Sequence, residues 1–517
     1  MPQLPALTSK VLIVDADDAR AGGLTTLLGS ADIHRVQRAT GGASLADDVA
    51  AAMPDIIVAD MGSPDRDTLE GLPQDPERPI VPLAGDPQAV AAGVSFYCAG
   101  HVDERAAKPI LAAAIAAFRG HGHAERARDA VLRIGLPRLA DAAPVIMAQE
   151  LGLFAAEGLD VELSIEPSWA NVADKLMLGF LDAAVVVPPL AFALALGLRG
   201  PPCPIFIPQS LSLGGNSVTL ATSLVRHVAL HLGTGTWTSL VKARALAVAL
   251  KESREKPTFA VDHRNSAHNL LLRYWLAAGG IEPDNDVRLA VVPPELLMEA
   301  LRSGRIAGFC AGAPWGAFAK EMQIGAAITS SYGIWQNGPD KALAVRQYWA
   351  DSHPEQLLAA QRALLRAAIY SDDPHHAGHI AETLSRGAYL GVRPEVVARA
   401  LPSDDAGSDP RQRSSFFRHA ASVPWHSHAH WFLQQMARWD LIPAASDFKQ
   451  IAERIYRPDL YAAAARSLNL PVPKKTFKSE GHSTAWRCAA DPSPIEMEPD
   501  GFCDGVPFTP AEADLSA

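Results

Sequence analysis

Apolar residues in this chain fall into two patterns. Near the start, Val11–Val14, Ile56–Ala59, Ile80–Leu83 and Val94–Tyr97 are short apolar runs, the last interrupted only by Ser95. Runs of that length without polar alternation are the mark of strands covered on both faces. Between them, Ala19–Leu28 and Ala43–Ala52 repeat apolar residues at helical spacing. Buried strands alternating with helices predict a parallel sheet, and residues at the carboxyl ends of its strands share one crevice. Asp15, Asp17 and Asp60 are the residues this pattern puts there.

A second set of elements begins at Val131. Val131–Pro137 reads as a strand, and Asp141-Ala-Ala-Pro144 opens a helix through Glu150, with the Asp as N-cap and the Pro in the first turn. Leu159–Ile165 is a strand, Trp169–Leu178 a helix, and Gly179 turns the chain into Ala183–Val187. A like helix–Gly–strand unit recurs at Leu297–Phe309 around Gly304. Pro257–Val261 opens another strand, followed by a helix from Ser266 to Gly280. Asn265 or Ser266 can cap that helix, Gly279 or Gly280 can end it, and Leu271, Tyr274, Trp275 and Ala278 fall on one face. Two similar α/β units predict two lobes closing on a small molecule at their interface.

Composition narrows the function. A net charge of -11 disfavours a nucleic-acid surface as the main activity. The longest apolar run, Ala183–Leu198, is interrupted by Pro188-Pro189 and is shorter than the roughly 20 residues of a membrane span. The five cysteines are scattered without a CxxC pair, which fits a reducing compartment and no structural zinc. No basic, apolar leader precedes Val11, so a cytoplasmic location is expected. His426, His428 and His430 alternate as strand-borne metal ligands would, yet Ala429–Trp439 has helical spacing with Trp431, Phe432, Met436 and Trp439 as core. No metal, cofactor or catalytic nucleophile–base pair is expected.

The acidic residues of the first part resemble those of response-regulator receiver domains. Asp60 stands at the phosphoacceptor position, with Asp15 and Asp17 where Mg²⁺ is held, and Asp60–Glu70 is similar to NasT-type nitrate antiterminators. The usual hydroxyl residue is Ala84 here, and the usual lysine is replaced around Cys98-Ala-Gly100. In that family the lysine neutralises a phosphoryl oxygen and the hydroxyl reads out the new charge, so their replacement implies an inactive pseudo-receiver used for docking or dimerisation. The helical RNA-binding module of NasT-type proteins is missing, and direct contact with nucleic acid is not expected.

The second part resembles the NrtA/CmpA group of nitrate- and bicarbonate-binding proteins, above all its NasS-type cytosolic sensors. The strings that carry the resemblance are Asp141-Ala-Ala-Pro144, Ser168-Trp169, Gly214-Gly-Asn216, His268–Leu276, Gly308–Trp315 and Trp335–Lys341, over roughly 131–445. Phe502–Phe508 echoes the family's ending. The resemblance implies an anion site with Lys341 as its cation, Trp169 and Asn216 as neutral donors, and backbone N–H groups from Ser266, Ala267 and His268, with little spare negative charge. Bicarbonate-binding relatives use calcium and carboxylates in this region; a lysine at 341 favours nitrate or nitrite.

The expected organisation is therefore a flavodoxin-like receiver over 8–120, a linker over 121–130, and a two-lobed type II periplasmic-binding-protein-like body over 131–470. The second lobe is expected at about 255–325, and a partly irregular surface tail over 471–517. The expected function is a nitrate or nitrite sensor acting on a NasT-type regulatory protein, with no membrane partner. The alternative is the substrate-binding component of a nitrate or bicarbonate ABC transporter.

Overall fold

The computed structural model describes residues 131–253, 255–402 and 413–509, with 11–14, 25, 36–39, 56–60, 80–82 and 94–99 of the N-terminal region. The chain divides into two compact units, Met1–Ala130 and Val131–Ala517. Among the described residues no helix is long and apolar enough to cross a membrane.

The first unit holds a five-stranded sheet of β1 (Val11–Val14), β2 (Val36–Ala39), β3 (Ile56–Asp60), β4 (Ile80–Pro82) and β5 (Val94–Ala99). Its order is β2-β1-β3-β5-β4. β1 pairs in parallel with both β2 and β3, as the buried runs predict. The remainder corrects the all-parallel, flavodoxin-like expectation: β5 lies between β3 and β4 and runs antiparallel to both. The stretch over 83–93 is short for a parallel crossover, which needs a dozen or more residues, while antiparallel neighbours need far fewer. β2 was not foreseen, because Val36-Gln-Arg-Ala39 lacks the apolar run that marks the other four strands.

The second unit is built on two sheets of the same plan. In the first lobe β6 (Val131–Pro137), β7 (Asp160–Glu166), β8 (Ala183–Val186) and β9 (Ile205–Ser210) are joined by helices, including α1 (Ala143–Glu150) and α2 (Trp169–Met177). The chain then crosses through β10 (Leu213–Gly214) into the second lobe. That lobe contains β11 (Asn216–Ala221), α3 (Thr222–Ala229), α4 (Ser239–Lys251), β12 (Thr258–Val261), α5 (Ala267–Ala278), β13 (Arg288–Val291), β14 (Gly308–Gly312) and β15 (Gly325–Ser330). Residues 331–341 cross back, and β16 (Ala342–Arg346) completes the first sheet.

The sheet orders are β7-β6-β8-β16-β9 and β13-β12-β14-β11-β15. In each, three parallel strands are followed by one antiparallel strand that comes from beyond a lobe crossing. The second sheet starts at Asn216, so a second lobe at 255–325 begins too late. β11 was missed because Asn216-Ser-Val-Thr-Leu-Ala221 carries three polar positions and no long apolar run.

The two crossing segments are tied together. Gly214 N–H donates to Gly338 O at 3.0 Å, Asp340 N–H to Ser212 O at 3.0 Å, and Leu211 N–H to Lys341 O at 2.8 Å. Gly214 and Gly215 have φ of 72° and 87°, and a side chain at 215 would collide with Ser414 Oγ, so the Gly-Gly pair permits this close crossing.

The tail is a brace. Phe502 is 7% exposed, with its ring 4.9 Å from Trp335 and 5.8 Å from Trp431. Cys503 N–H donates to Ile334 O at 2.8 Å, Gln336 N–H to Gly501 O at 2.9 Å, and Asn337 Nδ2 to Pro499 O at 2.7 Å. Farther back, Lys478 bonds Glu480 at 2.5 Å and Asp500 at 3.2 Å, all three buried or nearly so. The expectation of a surface-lying tail is corrected for 471–509. Its elements are too short to show periodicity, and they are held by long-range contacts. Pro424–His430 also differs from a strand-like reading: the helix starts at His426, and His428 Nε2 faces buried Glu480 at 3.1 Å. The loop expected at 403–413 lies, except for its last residue, outside the described residues.

Phe502→Ala would empty a buried aromatic position next to the return crossing. The expected loss is about 3–5 kcal/mol of unfolding free energy, read by urea denaturation of the full chain.

Candidate functional site

The carboxyl ends of β6, β12 and β14 and the starts of β11 and β16 meet between the lobes, as the crevice rule for open α/β sheets requires. Asp141 follows β6 on a short 3-10 turn, Asp262 follows β12, Asn216 opens β11, and Asp340-Lys341 leads into β16. Trp169 is the first residue of α2 and His268 lies in the first turn of α5. All seven side chains are buried.

At the centre, Lys341 Nζ lies 2.7 Å from Asp141 Oδ2 and 2.5 Å from Asp340 Oδ2. The Trp169 ring centroid is 5.8 Å from the same nitrogen. Asn216 Nδ2 donates to Asp340 Oδ1 at 2.8 Å, so its Oδ1 is left as an acceptor, 2.8 Å from His268 Nε2. His268 Nδ1 is 2.6 Å from Asp262 Oδ2, to which the Trp169 indole N–H also donates, at 2.5 Å. Both ring nitrogens of His268 therefore lie close to an oxygen, Nδ1 to Asp262 Oδ2 and Nε2 to Asn216 Oδ1. Gly312 closes the side of the cluster: a Cβ there would stand 3.2 Å from Asp141 Oδ2 and 3.5 Å from Asn216 Oδ1.

Burial disfavours charge, and the groups respond in opposite directions. Desolvation pushes the Asp141 carboxyl up to about 7, against the pull of Lys341 and with the neighbouring Asp340 adding to it. Desolvation would likewise raise Asp262, but His268, the Trp169 indole and Lys341 more than reverse it, and its carboxyl is held below the ordinary range. Lys341 is desolvated too, yet its two carboxylates hold the ammonium above its usual value. It stays charged.

The structure thus brings together Trp169, Asn216, His268 and Lys341 of the expected residues. Ser266 stands beside them in a structural role: its hydroxyl caps α5 by accepting from Asn269 N–H at 3.1 Å and donates to His263 O at 2.8 Å. Ala267 is buried at the helix start. In the first unit Asp60 is the last residue of β3, while Asp15, Asp17 and Ala84 lie outside the described residues.

One expectation is reversed. The site is rich in negative charge, because three buried aspartates surround one lysine and one histidine. Asp141 is no N-cap; Ala142 occupies that position on α1, with Pro144 in the first turn as expected. Asp262 and Asp340 were passed over, although both signals were present: Asp262 directly follows a buried parallel strand, and Asp340 adjoins the lysine. Lys341 Nζ, Asn216 Nδ2 and the Trp169 indole N–H are each engaged by a carboxylate of the protein itself.

The described Cys203, Cys310, Cys488 and Cys503 are free, and Cys310 is buried in β14, where desolvation raises its thiol well above the ordinary value. It is an inert core residue.

Lys341→Met would leave two buried carboxylates without their cation, a change worth about 3–5 kcal/mol. Asp141 can shed its charge by taking a proton, so the stability loss should be larger at pH 8.5 than at pH 6. Equal losses in urea at both pH values would contradict the charge pairing.

The model of the NMT1-like family matches residues 125–385. The chain is 31% identical over 395 residues to the nitrate/nitrite binding protein NrtA of Synechococcus elongatus, covering 74% of this chain and 87% of that protein. It is 33% identical over 380 residues to the bicarbonate transport ATP-binding protein CmpC of the same species, covering 73% of this chain. The chain spans about half the length of the CmpC and NrtC relatives it matches, 53% of that CmpC and 50% of the NrtC of Synechocystis. Among solved structures, the periplasmic nitrate-binding protein NrtA from Synechocystis PCC 6803 aligns with a TM-score of 0.64 at 27% identity, over 75% of this chain and 97% of that one. The two-lobed periplasmic-binding-protein-like fold and this kinship agree: the chain belongs to the NMT1-like family and is a homologue of NrtA.

Proposed function

We propose that the body of this chain binds nitrate or nitrite between its lobes and acts as a cytoplasmic sensor. The observation that carries the reading is Lys341, fully buried at the crevice among Trp169, Asn216 and His268, in a chain homologous over most of its body to nitrate-binding NrtA. A small planar anion needs one desolvated cation and a few directed N–H donors, and these side chains supply that set. The carboxylates now holding the donors would be displaced or neutralised as the anion enters. A bicarbonate site built on calcium is disfavoured, because the Lys341 ammonium already lies between two of the carboxylates a divalent cation would need.

The sensor role rests on the first unit. It resembles a receiver in sequence, and its β2-β1-β3 core is parallel with Asp60 closing β3, although β5 departs from the receiver order. In this reading the unit is a docking module that imitates a NasT-type partner, and lobe closure on the anion changes the surface offered to that partner. The second reading, favoured by the kinship with NrtA and CmpC, is the substrate-binding component of a nitrate or bicarbonate ABC importer.

Calorimetric titration with nitrate, nitrite and bicarbonate, repeated on Lys341→Ala, tests the site. Nitrate or nitrite should bind the native chain and lose at least tenfold in affinity in the variant. Binding of none of the three would remove the proposal. Adding a negative charge beside Asp141 favours its protonated form, which exists below about pH 7. Nitrate affinity should accordingly fall as pH rises above about 7, by up to about tenfold per unit, and Asp141→Asn should flatten that dependence. For the sensor role, full chain and a 125–517 chain should differ in affinity for a NasT-type protein; equal affinities would remove internal competition.

A further inference from the structure

The second lobe carries a cluster that the anion site does not use. His227 lies in the last turn of α3, and His231 follows just past its end, where its N–H still bonds Val228 O at 3.0 Å and prolongs the turn. Residues four apart on a helix share a face, so the two imidazoles lie side by side, with ring centroids 5.4 Å apart. Glu252 caps the end of α4. Its Oε2 lies 2.7 Å from His227 Nε2 and 3.2 Å from His231 Nε2.

We infer that His227, His231 and Glu252 form a binding site for a late first-row divalent cation such as zinc. The three ligand atoms all lie within 4.8 Å of one another, and among the described residues this is the group of three or more such side chains that converges in this way. Ligands at zinc's usual 2.0–2.2 Å bond lengths sit about 3.3–3.5 Å apart around a tetrahedral ion. The Glu252–His231 pair at 3.2 Å is already close to that, and the Glu252–His227 pair at 2.7 Å must open by about 0.6–0.8 Å, within reach of these partly exposed side chains. The donor set of two imidazoles and one carboxylate suits zinc, cobalt, nickel or copper and is a poor match for magnesium or calcium, which favour oxygen. The histidine side chains are 35% and 19% exposed, so an ion reaches them from solvent and a water completes the fourth position. The bound ion would cross-link the ends of α3 and α4 and fix residues 230–238 between them, where Leu230 and Trp237 are exposed.

His227-Val-Ala-Leu-His231 carries only two ligands in sequence, and the third, Glu252, is supplied by a separate helix. The test is zinc titration of the full chain against a chromophoric chelator, with magnesium in excess. The native chain should bind zinc with micromolar or tighter affinity. His227→Ala and His231→Ala should each weaken it at least tenfold, and Glu252→Gln several-fold. All three positions reach solvent and should leave the circular-dichroism spectrum unchanged. In thermal melts zinc should raise the midpoint of the native chain and leave that of His227→Ala/His231→Ala where it was. Absence of zinc binding at 100 μM, or native affinity in the double variant, would overturn the site.

Discussion

A buried ammonium without a counter-charge is among the costliest features a fold can carry, and the inter-lobe crevice is organised around avoiding it. Lys341 is held by Asp141 from the first lobe and by Asp340 beside it on the return crossing. Asp340 then engages Asn216 at the start of the second sheet, Asn216 faces His268, and His268 faces Asp262. One charge thereby ties together residues at both lobe crossings and at the ends of both sheets. Change that pairing and the relation between the lobes must respond, which is the physical coupling a ligand-driven closure needs.

The crossing segments make this response possible. They are joined to each other by backbone hydrogen bonds, and the return segment is braced from outside by the tail through Phe502 and the bonds around Gly501 and Cys503. The lysine is therefore presented on a supported strand entry, while the aspartate that meets it from the first lobe sits on a 3-10 turn. Burial raises the Asp141 carboxyl to about 7, so it is the partner an incoming anion would most readily displace, or cause to take up a proton from solvent.

Much of this was legible in the sequence. Apolar runs and Gly turns located five of the ten strands in the two lobe sheets, β6, β7, β8, β12 and β14, and the strings around Trp169, Asn216, His268 and Lys341 marked four of the seven residues that meet. The rest was hidden for identifiable reasons. Asp141 and Asp340 look like capping and turn residues in one dimension; only the two crossings bring them to the same nitrogen. β11 is too polar to show as a core strand, because its first residue serves the site. The tail has no periodicity of its own and gains its order from Trp335 and Trp431. In the first unit, the apolar runs identified strands correctly, but direction depends on crossover length and β5 runs against expectation.

In the proposed function, carboxylates of the protein hold Lys341, Asn216 and Trp169 until an anion enters, and the Lys341–Asp141 pair is the contact that gives way. A crystal structure of the chain grown with nitrate tests it most directly. Nitrate is expected between the lobes, within hydrogen-bond distance of Lys341 Nζ, with Asp141 Oδ2 withdrawn from its present 2.7 Å. Nitrate bound elsewhere, with the Lys341–Asp141 pair intact, would contradict it.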